Sequence, residues 1–362
     1  MNTIELEIIS NQYVCKFHFE RRINVIKGDS GTGKTSLLEL VRDTSPDIIK
    51  NISLDVMVAD DLGWKALMTA SKNAIIIFDD SNVIDSAEFA KCCYEYVVKN
   101  NLYLLIFNRE SLKIEQNNEE SGYMPHISYS IDSIYRLCND GINHWLEPFY
   151  NLNTFNQSSK LDICITEDSS GGFEFFNKLL NMLSVEHSDG GKSAIVDKIE
   201  RMSIKDKNIL VVFDRAAFGC EIEKFVNKLR DYNITVLDSY ECFEELLLRS
   251  NLFLNNQDVK RMFNNLSAYA NKYCLSWEVF FEKFLACITK EKPYKYLHGK
   301  RLRECYFEEC GSFSFCTFEL SQKCDLDIKG SKLDWLLKDT KYSYLLTFHD
   351  NGKNITRKMS AF

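Results

Sequence analysis

Eight residues, Gly28-Asp29-Ser30-Gly31-Thr32-Gly33-Lys34-Thr35, fit the pattern G-x-x-x-x-G-K-[ST], a loop suited to holding phosphate. Its glycines let the backbone curl so that N–H groups point at a β-phosphate, Lys34 reaches the β/γ oxygens, and the Thr35 hydroxyl can ligate Mg²⁺. A second group is acidic. Asp79 and Asp80 follow the apolar run Ala74-Ile75-Ile76-Ile77-Phe78, and Glu167 and Asp214 each end a further apolar run, Leu161–Thr166 and Asn208–Phe213. Carboxylates converging from neighbouring strand ends offer hard oxygen donors to Mg²⁺ or Mn²⁺.

The flanking segments supply the elements that would position these groups. Arg22 to Lys27 reads as a short buried strand entering the glycine loop, and Lys34 to Arg42 as a helix leaving it, with Leu37, Leu38 and Val41 at helical spacing. Ahead of them, Thr3–Ile9 and Tyr13–Phe19 read as a hairpin around Ser10-Asn11-Gln12. Behind them come a strand at Ile52–Val58, a helix at Asp60–Ser71 and the strand ending at Asp79. Asp85-Ser86-Ala87-Glu88 reads as a capping box for a helix with Ala87, Ala90, Tyr94 and Val97 on one face. A strand at Leu102–Phe107 then ends at Asn108-Arg109, and Ile127–Leu137 supplies a last strand.

Together these residues resemble a P-loop ATPase of the ABC/SMC-like, additional-strand class over residues 1–150. That resemblance implies ATP and Mg²⁺ as cofactors, with Asp79 holding the metal through water and Asp80 orienting the attacking water. The family commonly has a glutamate at the latter position, and the shorter aspartate implies slow hydrolysis; it also reads as a turn residue before a helix. Asn108 stands where the class carries a polar sensor of the γ-phosphate, and equally suits a loop. Arg109 and Arg136 are candidates for an arginine offered to a neighbouring subunit in a homo-oligomer. Ser169-Ser170-Gly171-Gly172 lies far behind the acidic strand and is no ABC signature. Gly191-Lys192-Ser193 fails as a second phosphate loop because Glu186 stands where its first glycine would be, which leaves Lys192 as a surface lysine or one that meets a phosphate at a helix N-terminus.

Residues 151–160 are polar and aperiodic, a linker. Residues 161–250 alternate four strands with helices marked by Phe173, Phe176, Leu180 and Leu183, by Ile195 and Ile199, and by Ile222, Val226 and Leu229. This predicts a parallel sheet whose ligands sit beyond its carboxyl ends. The order Glu167, glycine turn, strand-end Asp214 resembles a Toprim domain, and with the preceding ATPase resembles the overcoming-lysogenization-defect nucleases of bacterial antiviral defence. The resemblance makes Glu167 a general acid/base or metal ligand and Asp214 the first acid of a D-x-D pair. The second acid is missing, since residue 216 is Ala216; Glu221 or Glu223 could replace it, or both are solvated. Without it the domain could be an inactive interaction module of a regulatory or scaffold NTPase. Glu167 also reads as a helix-capping acid.

Residues 251–362 read as mainly helical, with Trp277, Phe280, Phe281 and Phe284 as packing. Lys290, Lys292, Lys295, Lys300, Arg301 and Arg303 alternate with Tyr294, Tyr296 and His298, cations and rings that suit single-stranded nucleic acid or form a solvated charged segment. Cys305, Cys310, Cys316 and Cys324 are spaced too widely for a strong zinc motif. The fold class expected is thus α/β, a P-loop parallel sheet followed by a Toprim-like parallel α/β domain and a helical C-terminal region. At 362 residues, 45% hydrophobic, net charge −8 and with four prolines, the chain has globular composition and no excess charge for coating nucleic acid. Thirteen scattered cysteines and no apolar run near ~18 residues suit reduced thiols, the cytoplasm and no membrane span.

Overall fold

The computed structural model describes residues 4–9, 13–28, 34–42, 49–50, 53–79, 81–108, 127–154, 161–180, 183–228, 232–237, 241–253, 255–303, 306, 344–350 and 353–356. The fold is mixed α/β. Along the chain run β1 (Ile4–Ile9), β2 (Val14–Phe19), β3 (Ile23–Lys27), α1 (Lys34–Arg42), β4 (Ile49–Lys50), β5 (Asp55–Val58), α2 (Trp64–Ala70), β6 (Ala74–Asp79), α3 (Ala87–Cys92), β7 (Leu102–Phe107), β8 (Ile134–Asn139) and β9 (Asn143–Pro148). There follow β10 (Tyr150–Thr154), β11 (Ile163–Thr166), α4 (Gly171–Leu179), β12 (Ser184–His187), α5 (Ile195–Met202), β13 (Asn208–Val212), α6 (Ile222–Lys228), β14 (Asn233–Leu237), α7 (Phe243–Leu248), α8 (Gln257–Asn264), α9 (Leu266–Tyr273) and α10 (Trp277–Thr289). Strands Tyr344–Asp350 and Lys353–Thr356 lie in the C-terminal region, which is therefore not wholly helical.

The chain forms two compact units, one of residues 1–150, 265–277 and 351–353, the other of residues 151–264, 278–350 and 354–362. In the first, nine strands lie in the order β4-β1-β2-β9-β8-β3-β7-β6-β5. Neighbours within β8-β3-β7-β6-β5 are all parallel, while β1 and β2 form the expected antiparallel hairpin. The apolar runs of β6 and β7 are buried along their length, as a strand covered on both faces requires. On one face Leu37, Leu38 and Val41 of α1 pack against Ile26, Ile75, Ile77, Leu105 and Phe107, continuous with Leu6, Ile8 and Phe17 of the hairpin. On β6, Phe78 meets Phe89 edge-to-face at 5.1 Å, and Phe89 meets Trp64 at 5.6 Å.

Two local expectations are corrected here. Ser86, not Asp85, caps α3, its hydroxyl accepting the Phe89 N–H at 3.1 Å. Tyr94 is exposed, whereas Phe89, Cys92 and Cys93 are buried. Ala90 and Val97 are buried as expected, and Tyr94 lies within the π-helical turn Cys93–Val97, where a 3.6-residue period no longer holds.

Residues 265–277 join the first unit through an arginine at the start of the strand read as buried. Arg22 is buried; it donates to the Asn271 carbonyl at 2.9 and 2.6 Å, to the Leu102 carbonyl at 3.0 Å and to Asn101 Oδ1 at 2.9 Å. Arg21 stacks on the Trp277 ring, 3.3 Å from its centroid, and the Trp277 indole N–H donates to Asn271 Oδ1 at 3.1 Å. Arg22→Ala removes a buried cation and strands two carbonyls, so it is expected to destabilise this unit by about 3 kcal/mol. Calorimetric unfolding checks this, and an unshifted transition would show that the arginine contributes nothing.

In the second unit four strands lie in the order β12-β11-β13-β14, all parallel, as the alternation predicts. The chain leaves β11 for β12 on one side and then crosses to β13 on the other, so the order reverses between β11 and β13. The polar stretch expected to be a linker is strand β10 over Asn151–Thr154. On α4 the buried rings are Phe175 and Phe176, with Phe173 only half-buried and Leu183 beyond the helix.

Candidate functional site

Each unit gathers its chemistry-bearing residues at the carboxyl ends of parallel strands. In the first, Ile26 of β3 and Asp79 of β6 both stand opposite Phe107 of β7, and the Asn108 N–H donates to the Ile26 carbonyl at 3.1 Å. Gly28, Asn108 and Asp79 therefore end three adjacent strands at one level, with β3 and β6 about 10 Å apart across β7. Lys34, the first residue of α1, is buried, and its ammonium donates to the Gly28 carbonyl. Thr35 is exposed in the same first turn. Arg136 lies on β8 opposite Lys27. Asp29, Ser30, Gly31, Thr32, Gly33, Asp80 and Arg109 lie outside the described residues, as do Cys305, Cys310, Cys316 and Cys324.

In the second unit the order reversal brings Glu167 and Asp214 together, because ligands and polar groups collect where neighbouring connections diverge. The Glu167 N–H donates to the Val212 carbonyl at 2.8 Å, and Glu167 Oε2 accepts the Asp214 N–H at 2.9 Å. Asp214 Oδ1 accepts the Phe243 N–H at 3.1 Å from the start of α7. Asp168, not Glu167, does the capping: it accepts the N–H and hydroxyl of Ser170 at 2.8 and 2.9 Å and the Gly172 N–H at 2.6 Å.

Both acids keep partial exposure, yet enough protein surrounds them to disfavour their charge. Burial first of all pushes Glu167 up to about 7, with Lys192 and the Asp214 N–H opposing and Glu278 and Asp168 reinforcing. Asp214 is driven well above the carboxylate range by burial, then by Glu167, Glu278, Glu244 and Asp168. Lys192 is a member of this group, contrary to its reading as surface. Burial pulls its ammonium down, but Cys220, Glu167, Glu278 and Asp214 together outweigh that and hold it above its usual value. It is aimed by Gly191, whose φ of +68° only glycine adopts without strain, and by Ser188, whose hydroxyl donates to the Gly191 carbonyl at 2.7 Å.

Two hard-oxygen donors with surplus negative charge suit a divalent cation in kind, and a cation would relieve their repulsion. Among the described residues, however, no group of three or more His, Cys, Asp and Glu is set to hold a metal ion. Ala216 is buried, its N–H donating to the Glu241 carbonyl at 2.8 Å. Glu221 is pushed up by burial and feels Lys224 and Lys192. The acids whose charge bears on Asp214 are instead Glu278 and Glu244 from α10 and α7, which periodicity marks only as helical positions.

The basic stretch after α10 is divided by direction. Tyr296 is buried; its N–H donates to Thr289 Oγ1 at 3.0 Å and its hydroxyl to Glu244 Oε1. His298 Nδ1 lies 3.7 Å from the same oxygen and 3.9 Å from Glu282, and the Glu244 contact, aided by Glu282 against burial, holds the imidazole up to about 9. Tyr294 packs edge-to-face on Phe253 at 6.0 Å, and its carbonyl accepts the Tyr306 hydroxyl at 2.8 Å. Lys290, Lys292, Lys295, Lys300, Arg301 and Arg303 are exposed. The expected display of rings beside cations is corrected in part: Tyr296 is enclosed and Tyr294 half-buried, while His298 stays exposed.

Among the described residues no helix is long and apolar enough to cross a membrane, and Cys15, Cys92, Cys93, Cys164, Cys242 and Cys274 are buried free thiols. Compared with protein-family models and with curated proteins, the chain matches none of them.

Proposed function

We propose that the chain couples an ATP-binding, slowly hydrolysing P-loop unit to a Toprim-like, metal-dependent unit that acts on nucleic acid, in the manner of antiviral nucleases. The observation that carries this reading is the direct hydrogen bond between the Asp214 backbone and the Glu167 carboxylate at the order reversal of a parallel sheet. In support of the ATPase half, the order β8-β3-β7-β6-β5 places β7 between the glycine-loop strand and the Asp79 strand, as the additional-strand class does. Lys34 and Thr35 would bind the phosphates and Mg²⁺, Asp79 would hold that ion through water, Asp80 would orient water, and Asn108 would sense the γ-phosphate.

In the second unit Glu167 and Asp214 would hold Mg²⁺ or Mn²⁺. When bound there, the ion supplies positive charge for a phosphodiester and for hydroxide at neutral pH. Glu167 would serve there as a ligand of the ion or as the general acid/base, and Lys192 would balance the negative charge of substrate. A second reading, a scaffold NTPase with an inactive Toprim-like module, is favoured by the enclosed Ala216.

The full chain is to be incubated with Mg²⁺ or Mn²⁺, with ATP, ADP or neither, and with plasmid, single-stranded DNA or tRNA. Metal-dependent cleavage is expected, falling at least ~100-fold in Glu167→Ala and Asp214→Ala. Absence of cleavage under every nucleotide condition selects the scaffold.

A further inference from the structure

The strap of residues 290–303 has a rigid inner side and a cationic outer one. Its inner side is fastened at three places. Tyr296 is tied to Thr289 and Glu244, Arg301 Nε lies 3.3 Å from Glu174 of α4, and buried Leu302 lies against Gly171, on which an added Cβ would stand 3.4 Å from the Leu302 Cγ, an ordinary contact. The strap therefore spans α4, which begins just beyond Glu167, and α7, whose Phe243 N–H holds Asp214. Lys290, Lys292, Lys295, Lys300 and Arg303 point outward from this fixed backbone into solvent.

We infer that this strap grips the backbone phosphates of a duplex nucleic acid and delivers them beside Glu167 and Asp214. The inference rests on the nucleic-acid reading proposed above and narrows its substrate. Recognition of a single strand relies on exposed rings, each stacked base contributing roughly 1–3 kcal/mol. Here Tyr296 is enclosed against Glu244, Tyr294 lies against Phe253, and His298 sits between Glu244 and Glu282. With Tyr296 enclosed, Tyr294 half-buried and the exposed His298 imidazole held by two carboxylates, the outer side is dominated by charge. Charge alone favours the polymer of higher linear charge density, and duplex DNA carries one phosphate per ~1.7 Å of axis. Phosphate contacts also carry no sequence information, so the grip is independent of sequence.

The test is binding of the full chain, in EDTA, to a fluorescently labelled duplex and to its separate strand across a range of salt. The duplex is expected to bind tighter than the strand, with log affinity falling by about 0.9 per contacted phosphate for each decade of salt. Lys292→Gln/Lys295→Gln/Lys300→Gln should weaken duplex binding at least ~10-fold and flatten the salt slope by about 3. These lysines are exposed, so circular dichroism should be unchanged. Tighter binding of the strand, an unaltered salt slope in the triple variant, or binding to anionic vesicles without binding to duplex would each overturn the inference. Because the assay contains no divalent cation, duplex binding without later cleavage counts against the catalytic reading and leaves the strap's role standing. Metal-dependent cleavage of other substrates with no duplex grip does the reverse.

Discussion

Without divalent cation, the thermal stability of the chain is expected to fall as pH rises from about 4.5 to about 7, and Glu167→Gln is expected to remove a large part of that fall. Glu167 is pushed from 4.5 to about 7, chiefly by burial. Between those values the folded chain keeps a proton that the unfolded chain has released, so the unfolded state binds fewer protons and stability declines as pH rises. The full contribution is present below about 4.5 and lost above about 7, on the order of a few kcal/mol. Asp214 is displaced in the same direction by burial and by Glu167, so it steepens the decline. His298, held up to about 9, also loses its contribution as pH rises, but from its ordinary value near 6.5 upward. Asp140, lowered to about 2 by hydrogen bonds from Asn143 and Ile142, acts only at more acid pH. Only the Asp140 window lies wholly apart, and that of His298 overlaps the upper end of the acids' window. Scanning calorimetry of wild type, Glu167→Gln and Asp214→Asn at several pH values reads the effect, and a profile that is flat or rising across the window would show that the two acids are not mutually strained. Adding Mg²⁺ should raise the melting temperature more above pH 7 than near pH 5, because only the ionised pair gains from a cation.

What could be read from the sequence follows how local each feature is. The strand and helix on either side of the glycine-rich segment are legible because each carries its own apolar pattern, and β6 because an apolar run followed by acids needs no partner to be recognised. Glu167 and Asp214 were found separately, as strand-end acids, and alternation alone implied that parallel strands would bring their ends together. Their electrostatic neighbours were not legible. Glu278, Glu244 and Lys192 reach the site from helical or turn positions, and helical periodicity reports which face is buried without reporting what a polar group on its margin meets. Burial of the strand containing Arg22 is legible, but its partner is not, because Asn271 is 249 positions away. Tyr296 was misread for a related reason: a ring among lysines suggests display, and only the distant Glu244 explains why it turns inward. The π-turn at Cys93–Val97 leaves no compositional mark at all, so Tyr94 is placed on a buried face that Ala90 and Val97 do share.

The second large effect is expected at the glycine loop. Lys34→Ala should weaken ATP binding about 100-fold, which corresponds to ~3 kcal/mol, within the range for losing charge-assisted hydrogen bonds from one buried cation. Lys34 is buried at the first position of α1 with its ammonium on the Gly28 carbonyl. Its charge is thus already drawn to the carboxyl end of β3, where the glycine-rich segment begins. The alanine variant loses this cation but keeps the packing of Leu37, Leu38 and Val41, so α1 should survive and the loss should appear in ligand binding before it appears in folding. Two readouts distinguish these. Direct titration with ATP and Mg²⁺ should show the weakened affinity, and the ATP-dependent rise in melting temperature, about 2.7 kcal/mol of stabilisation at 100-fold excess over Kd, should nearly vanish. Glu167→Gln, which alters the other unit, should retain both. An unchanged ATP affinity in Lys34→Ala would mean that the loop does not hold phosphate, and the alignment of Gly28, Asn108 and Asp79 along three strand ends would then need a different ligand.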